Sequence, residues 1–301
     1  MSTPLRLLSF GAALVAVFTV SLLAARTLRP AEAGSAAPDT HQTTDHTNQE
    51  NPMDHGTGSA PAAADPVRGL AVTTDGYQLS DLSAPHQTAE VGVLSFRLTG
   101  PDGRPVTDYT TSHDKDLHLI VVRSDGSRFQ HVHPTTDGAG TWSLPWRWTA
   151  AGSYRVFADF VPTAAGEPLT LTSTVEVAGA LTPVGLGEDT AAVTVDGFTV
   201  TVDGTLQAGQ ESELTFTVTR DGTPVTRLQP YLGAAGHLVV LRVGDLAYLH
   251  VHPMGEQPAA ASGPDVAFMA SAPSPGRYLL YLDFQVDGRV HTAALTATAG
   301  R

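Results

Sequence analysis

Residues 118–134 read HLIVVRSDGSRFQHVHP, and residues 237–253 read HLVVLRVGDLAYLHVHP. In both stretches an apolar run rich in β-branched residues leads into a turn signal, and a second run ends in His-x-His-Pro. Such runs on either side of Asp-Gly or Gly-Asp are typical of a β-hairpin. The repeated stretch therefore predicts an all-β fold in which the same hairpin occurs twice.

The first hairpin can be paired residue by residue. With Asp125-Gly126 as a two-residue turn, counting outward places Ile120 opposite His131, and His118 opposite His133. Residues two apart on a strand share a face, and directly opposed Cβ atoms lie about 4.5 to 5.5 Å apart. The three imidazoles should therefore converge on one face of the sheet.

The second hairpin predicts the same arrangement. With Gly244-Asp245 as the turn, His237 lies opposite His252, and His250 joins them on the same face. Neutral imidazoles at this density are ligands that transition metals prefer. We therefore predict one three-His metal site in each hairpin. The alternative is a structural role, in which the histidines form a hydrogen-bonded network across the strands.

The similarity extends beyond the hairpins to whole units. Ala71–Tyr77 matches Ala192–Phe198, Gly152–Tyr154 matches Gly276–Tyr278, and the offset between matched residues drifts only from 119 to 124. This pattern is typical of a duplicated domain. We predict the two domains at residues 67–180 and 181–301.

Each unit contains strand-like runs bounded by Gly, Pro or Asp-Gly signals. In the first unit the predicted strands lie near Ala71–Leu79, Val91–Leu98, Asp116–Arg123, Arg128–His133, Thr141–Thr149, Ser153–Phe160 and Leu169–Val177. Their number and spacing predict two tandem immunoglobulin-like β-sandwich domains. The sandwiches must hold without a disulfide, because the chain has no cysteine.

The N-terminal part is predicted to be an export or anchor helix and a disordered tether. Arg6 precedes an apolar run, Leu7–Ala25, and Ala31–Ala33 offers an A-x-A cleavage pattern. Residues 1–33 are either a signal peptide or, as the length of the run favours, a single-pass membrane anchor. In both cases the remainder lies outside the cytoplasm, and residues 34–66 form the tether.

The tether contains His41, His46, Met53 and His55. Imidazole and thioether together suit copper, so these residues are candidate flexible ligands. The alternative is a hydrophilic spacer in which histidine occurs by chance. The net charge of −13, from 30 acidic and 17 basic residues, excludes a basic nucleic-acid binder.

Three further residues are candidate partners of the histidines. Asp159 and Asp283 occupy equivalent places in apolar strands, where each is a ligand, a hydrogen-bond acceptor that orients a histidine, or a residue that faces solvent. Met254, directly after His252-Pro253, offers a soft ligand or simply packs.

At these residues the chain resembles exported bacterial YtkA-like proteins, a group with immunoglobulin-type domains described as heavy-metal-binding. The resemblance rests on the His-Val-His-Pro blocks, the apolar runs that begin at His118 and His237, and the Asp-Phe strands, and it covers most of residues 67–301. It implies handling of copper or another heavy metal outside the cytoplasm.

Copper or zinc is the predicted cofactor, and the absence of thiolates with the Met/His tether favours copper. A metal-dependent enzyme ranks below a binding protein, since neither Gly-x-Ser-x-Gly nor His-Glu-x-x-His occurs. A cell-surface interaction or adhesion module with a protein partner is the other alternative. Trp142, Trp146 and Trp148 share a strand face beside Pro145, so they either fill the core or form an exposed aromatic surface.

Overall fold

The computed structural model describes residues 67–249, 251–254 and 262–301. The predicted export segment, the tether with His41, His46, Met53 and His55, and also His250, lie outside the described residues. Regular structure in the described part consists of 18 β-strands. No helix of that part is long and apolar enough to cross a membrane.

The first repeat contributes nine strands. They are β1 (Thr73–Thr74), β2 (Tyr77–Ser83), β3 (Gly92–Thr99), β4 (Leu117–Arg123), β5 (Gln130–Val132), β6 (Thr135–Thr136), β7 (Thr141–Trp146), β8 (Gly152–Phe160) and β9 (Leu169–Val177). One sheet has the order β1-β2-β3-β7-β6 and the other β5-β4-β8-β9. Neighbouring strands are antiparallel in both sheets.

The second repeat follows the same plan, again with nine strands. They are β10 (Ala192–Val195), β11 (Phe198–Asp203), β12 (Glu211–Arg220), β13 (Thr223–Pro224), β14 (His237–Arg242), β15 (Val251–Pro253), β16 (Asp265–Ser271), β17 (Gly276–Val286) and β18 (Arg289–Ala299). One sheet has the order β10-β11-β12-β16-β15, with β13 beside β12, and the other β14-β17-β18.

Each repeat is a sandwich with its own core. Alternating residues of β3, such as Phe96, are buried against those of β4 and β8 in the first repeat, and Phe216 and Phe268 hold the same role in the second. The prediction of an all-β chain with two tandem immunoglobulin-like β-sandwiches is therefore confirmed.

The strand predicted at Ala71–Leu79 is in fact two strands. Asp75 and Gly76 have φ values of 51° and 79°, and they close a tight hairpin between β1 and β2. Asp-Gly favours such turns because both central residues need positive φ. Asp196 and Gly197, with φ values of 49° and 84°, join β10 and β11 in the same way.

The exposed aromatic surface considered for the first repeat is wrong. Trp142, Trp146 and Trp148 are only 3%, 5% and 1% exposed and belong to the first core. Strand β7 lies between β3 and β6, and its tryptophan face packs into the core between the two sheets. Trp142 also donates its indole hydrogen to the Tyr109 hydroxyl at 3.0 Å.

A third apolar cluster joins the two repeats. Ile120 and Val122 of β4 lie on the strand face opposite Leu119 and Val121, which enter the first core. They pack with residues of the second repeat, among them Val239 of β14. Strand β4 is therefore buried on both faces, which explains its uninterrupted apolar run.

Equivalent residues meet reciprocally across this interface. Phe129 stacks on Tyr281 with ring centroids 3.9 Å apart, and Tyr248 approaches Phe157 at 5.9 Å. Phe129 and Tyr248 precede the equivalent His-x-His motifs, and Phe157 and Tyr281 precede the equivalent aspartates by two residues. The repeats thus face each other with approximate two-fold symmetry, which brings His118 and His237 together.

Candidate metal centre

The first hairpin forms with the predicted register. Ile120 of β4 pairs with His131 of β5, as predicted. The predicted two-residue turn is wrong, because Arg123 N–H donates to the carbonyl of Ser127 across a three-residue loop, and one extra residue near Arg128, where φ is 59°, restores the register. His118 lies two residues from Ile120, on the strand face that is directed at the second repeat. The histidine face is therefore the interface between the repeats, rather than an open surface or the core of a sandwich.

The histidines of the first hairpin converge on one nitrogen atom. Nδ1 of His118 lies 3.0 Å from Nε2 of His131 and 3.2 Å from Nε2 of His133. The side chain of His131 is 1% exposed, and His118 is 3% exposed. Three imidazoles thus converge, as the sequence predicted, and the site that they form is largely buried.

A fourth histidine comes from the other repeat. The ring of His237 is stacked on that of His118 at 5.4 Å between centroids, and it lies 4.8 Å from the ring of His131. His118, His131 and His237 each offer a ring nitrogen, and these atoms all lie within 4.8 Å of one another. This group could hold a metal ion, and it draws on both repeats.

Neighbouring acceptors fix which ring nitrogens carry hydrogen. The carbonyl oxygen of Ser112 lies 3.0 Å from Nε2 of His118 and can only accept, so Nε2 donates and Nδ1 keeps its lone pair. The carboxylate of Asp283 accepts from Nδ1 of His131 at 2.8 Å, so Nε2 is the nitrogen of His131 that is directed at His118. When His131 is neutral, both nitrogens of this 3.0 Å contact offer a lone pair, as ligands of one shared ion must.

Burial keeps His118, His133 and His237 neutral. Desolvation, followed by the charge of His131, lowers the pKa of both His118 and His133 to about 3. The same two causes lower the pKa of His237 well below its usual value. At neutral pH these three rings are therefore uncharged, and each keeps a lone pair that can bind a metal ion.

Asp159 and Asp283 occupy equivalent places in the two repeats. Asp159 pairs with His118 across β8 and β4, and Asp283 pairs with His237 across β17 and β14. Each accepts a hydrogen bond from a threonine on the next strand, Thr170 or Thr292. Asp283 orients His131 of the opposite repeat, whereas burial raises the pKa of Asp159.

The predicted pairing of His237 with His252 is wrong. Near the turn the second hairpin has the predicted register, since Leu241 bridges Tyr248. Beyond it β15 pairs with β16 of the other sheet, so the chain changes sheets earlier than in the first repeat. His252 is exposed on that sheet, His237 enters the shared cluster, and the predicted ligand His250 lies outside the described residues.

Met254 also lies on the other sheet rather than beside His237. It is 42% exposed, and its backbone N–H donates to the carbonyl oxygen of Ala267 on β16.

Sequence reasoning missed His113. Its ring centroid lies 5.3 Å from that of His237 and 6.0 Å from that of His118. His113 and Asp114 form a tight turn with φ values of 48° and 61°, where the second repeat has Leu232 and Gly233. The repeat gave no signal for this residue because only the first unit has it.

A family model described as "Domain of unknown function (DUF8832)" matches the chain twice, at residues 72–179 and 193–301. The chain belongs to this family. One match falls on each sandwich, so the duplicated unit is the family's domain. No curated protein is significantly similar to the chain in sequence.

Solved structures similar to the chain include three multi-domain or surface proteins. A glycosyl hydrolase family 2 member from Bacteroides cellulosilyticus is 13% identical with a TM-score of 0.21, over 73% of this chain and 24% of that one. Invasin, a bacterial integrin-binding protein, is 13% identical with a TM-score of 0.22, over 74% of this chain and 39% of invasin. The D00-D0 domain of intimin is 14% identical with a TM-score of 0.21, over 73% of this chain and 98% of the intimin chain. The chain thus spans about a quarter of the hydrolase, and the likeness is one of fold alone.

Proposed function

We propose that this protein binds a metal ion outside the cytoplasm, in a single centre between its two repeats. The ligands are His118, His131 and His133 of the first repeat and His237 of the second. The observation that carries the proposal is the convergence of Nε2 of His131 and Nε2 of His133 on Nδ1 of His118, at 3.0 and 3.2 Å, in a largely buried site. Imidazoles gathered at this density are ligands that transition metals prefer.

The spacing of the nitrogens fits a bound ion. Nitrogens bound at about 2.0 to 2.1 Å to a tetrahedral ion lie about 3.3 Å from one another. The separations of 3.0 and 3.2 Å around Nδ1 of His118 are close to that value. Asp283 supports the site further, because a carboxylate on the second ring nitrogen fixes the tautomer and raises the basicity of the ligand.

Copper is the proposed physiological ion, with zinc as the alternative. Neutral imidazoles suit both Cu(II) and Zn(II), and the chain offers no thiolate. The Met/His tether tilts the choice towards copper, and the resemblance to YtkA-like proteins agrees with it. Binding rather than catalysis remains our prediction.

The location and the other partners are also proposals. The apolar run Leu7–Ala25 supports export, with attachment to the membrane if it is not cleaved. The acidic composition supports the absence of a nucleic-acid partner.

Calorimetric titration of the full-length chain with Zn(II) and Cu(II) tests the proposal. Substituting His118→Gln should remove one bound equivalent of either ion, because all the short nitrogen contacts include His118. The matched control is His86→Gln, which alters an exposed histidine and should leave uptake unchanged. Equal uptake by His118→Gln and the unsubstituted chain would show that the cluster is a structural network, in favour of the interaction-module alternative.

A further inference from the structure

The change of sheet at β15 places His252 beside a methionine. In the β15–β16 ladder His252 lies directly opposite Met269. The flanking pair Val251 and Ala270 is directed at the second core, so the alternation of a strand directs His252 and Met269 to the outer face. Directly opposed side chains of such a ladder have Cβ atoms about 4.5 to 5.5 Å apart.

A second methionine continues this face. The N–H of Met254 donates to the carbonyl oxygen of Ala267, which extends the register of β15 by one residue. Met254 is two residues from His252, and it is therefore on the same face and diagonal to Met269. Diagonal neighbours lie about 7 to 8 Å apart, within reach of long side chains such as methionine.

These two methionines lie outside the core of the second repeat. Met254 is 42% exposed. Met269 is half-buried and lies on the outer face of β16, whereas Val266, Phe268 and Ala270 are buried on the opposite face. The chain has only four methionines, and two of them lie next to each other on this sheet. The corresponding strand of the first repeat, β6, has Thr135 paired with Ser143. The pair of methionines beside a histidine therefore occurs in the second repeat and not at the equivalent place in the first.

We propose that His252, Met254 and Met269 form a second metal site, specific for Cu(I), on the outer face of this sheet. One imidazole and two thioethers are a soft ligand set, which selects Cu(I) over Zn(II). Glu213 of β12, which pairs with Met269 on its other side, adds negative charge beside the bound cation. Binding requires no redox step, because Cu(I) enters by exchange of ligands.

This site differs from the centre between the repeats in its ligand chemistry. The interface centre uses imidazoles that are directed at the other repeat, whereas the outer site uses thioethers on a face that points away from the core of the second repeat. The outer site does not require the interface centre to bind metal.

Methyl NMR of the full-length chain with ¹³C-labelled methionine methyl groups tests this site, with Ag(I) as a redox-inert probe for Cu(I). Stoichiometric Ag(I) should shift the signals of Met254 and Met269, assigned from Met254→Leu and Met269→Leu, and these shifts should persist in Met53→Leu. Leucine nearly conserves the side-chain volume and removes the sulfur. If neither signal moves, the site does not exist.

Competition for Cu(I) with a chromophoric chelator provides a second measurement. The double variant Met254→Leu with Met269→Leu should lose one Cu(I) equivalent and keep the Zn(II) uptake of the unsubstituted chain. The variant His118→Gln should keep the Ag(I) shifts even if it loses Zn(II), which separates failure of this site from failure of the interface centre. Full Cu(I) uptake by the double variant would overturn the proposal.

Discussion

His131 of the first repeat donates its Nδ1 hydrogen to Asp283 of the second repeat at 2.8 Å, and both side chains are almost completely buried. This bond directs Nε2 of His131 at Nδ1 of His118, 3.0 Å away. The orientation of a ligand in one sandwich thus depends on a carboxylate of the other. The proposed centre is complete only when the two repeats are packed together.

Replacement of Asp283 should weaken metal binding without removing a ligand. We expect Asp283→Asn to lower the affinity for Zn(II) by about 10- to 100-fold, because the carboxylate that fixes the tautomer of His131 is lost. Competition with a zinc chelator measures the change. The matched control is Asp196→Asn, which breaks a histidine–aspartate pair of the same 2.8 Å length, with His291. An equal effect of both substitutions would point to a general loss of stability.

Metal binding should stabilise both repeats. An ion that binds the folded chain alone stabilises it by about 2.7 kcal/mol when free ion is at 100 times the dissociation constant. Because the ligands come from both sandwiches, Zn(II) should raise the unfolding temperature of both, as measured by calorimetry with and without a chelator. A rise confined to one of two transitions would argue against a shared centre.

The outcome for the hairpins shows what sequence can predict here. The register of Ile120 with His131 was predicted correctly although the turn between them is a three-residue loop followed by a bulge. The register of Leu241 with Tyr248 was also predicted correctly. In both hairpins the apolar face fixes the register, because a slip of one residue would turn that face to the other side of the sheet. His252 was misplaced because the point at which a strand leaves one sheet for the other depends on tertiary packing.

The shared centre could not be derived from the hairpins alone. It depends on the packing of one sandwich against the other, which no local pattern specifies. The one available signal was the run from Leu117 to Val122, since a strand that is apolar on both faces needs a partner on both. His113 gave no repeat signal because Leu232 stands at its position in the second unit.

The buried pair of Arg123 and Asp125 should make stability dependent on pH in acid. Burial raises the pKa of Asp125, but hydrogen bonds from Arg123, Val184 and Ser127 outweigh it and hold the pKa well below the usual 3.8. The pair's stabilisation is therefore fully present above pH 3.8 and is lost as pH falls below it, while the unfolded chain takes up the proton first. Urea unfolding from pH 6 to 2 should show this loss.

Asp125→Asn should also destabilise the chain at neutral pH, by about 3 to 5 kcal/mol, because Arg123 then keeps a buried charge without its carboxylate. The equivalent pair, Arg242 and Asp245, has side chains that are 20% and 39% exposed. Asp245→Asn should therefore cost about 1 kcal/mol or less. If urea unfolding showed that Asp125→Asn and Asp245→Asn lower the free energy of unfolding equally, burial would not be the reason that Asp125 matters.

The interface between the repeats depends on the stacked pair Phe129 and Tyr281. Tyr281→Ala should cost about 3 to 5 kcal/mol, as for other buried aromatic residues. Tyr281→Phe removes only the hydrogen bond from the hydroxyl to the carbonyl of Gly126, and should cost about 0.5 to 1.5 kcal/mol. Urea denaturation measures both. If Tyr281→Ala left the free energy of unfolding nearly unchanged, the packing of the repeats would contribute little to stability.

The stoichiometry of Zn(II) in variants of the two repeats tests the central claim most directly. One centre between the repeats requires that His131→Gln, His237→Gln and the double variant all lose the same single equivalent, since each removes a ligand of the same site. A double variant that loses two equivalents, one for each single substitution, would show two independent sites and contradict the shared centre.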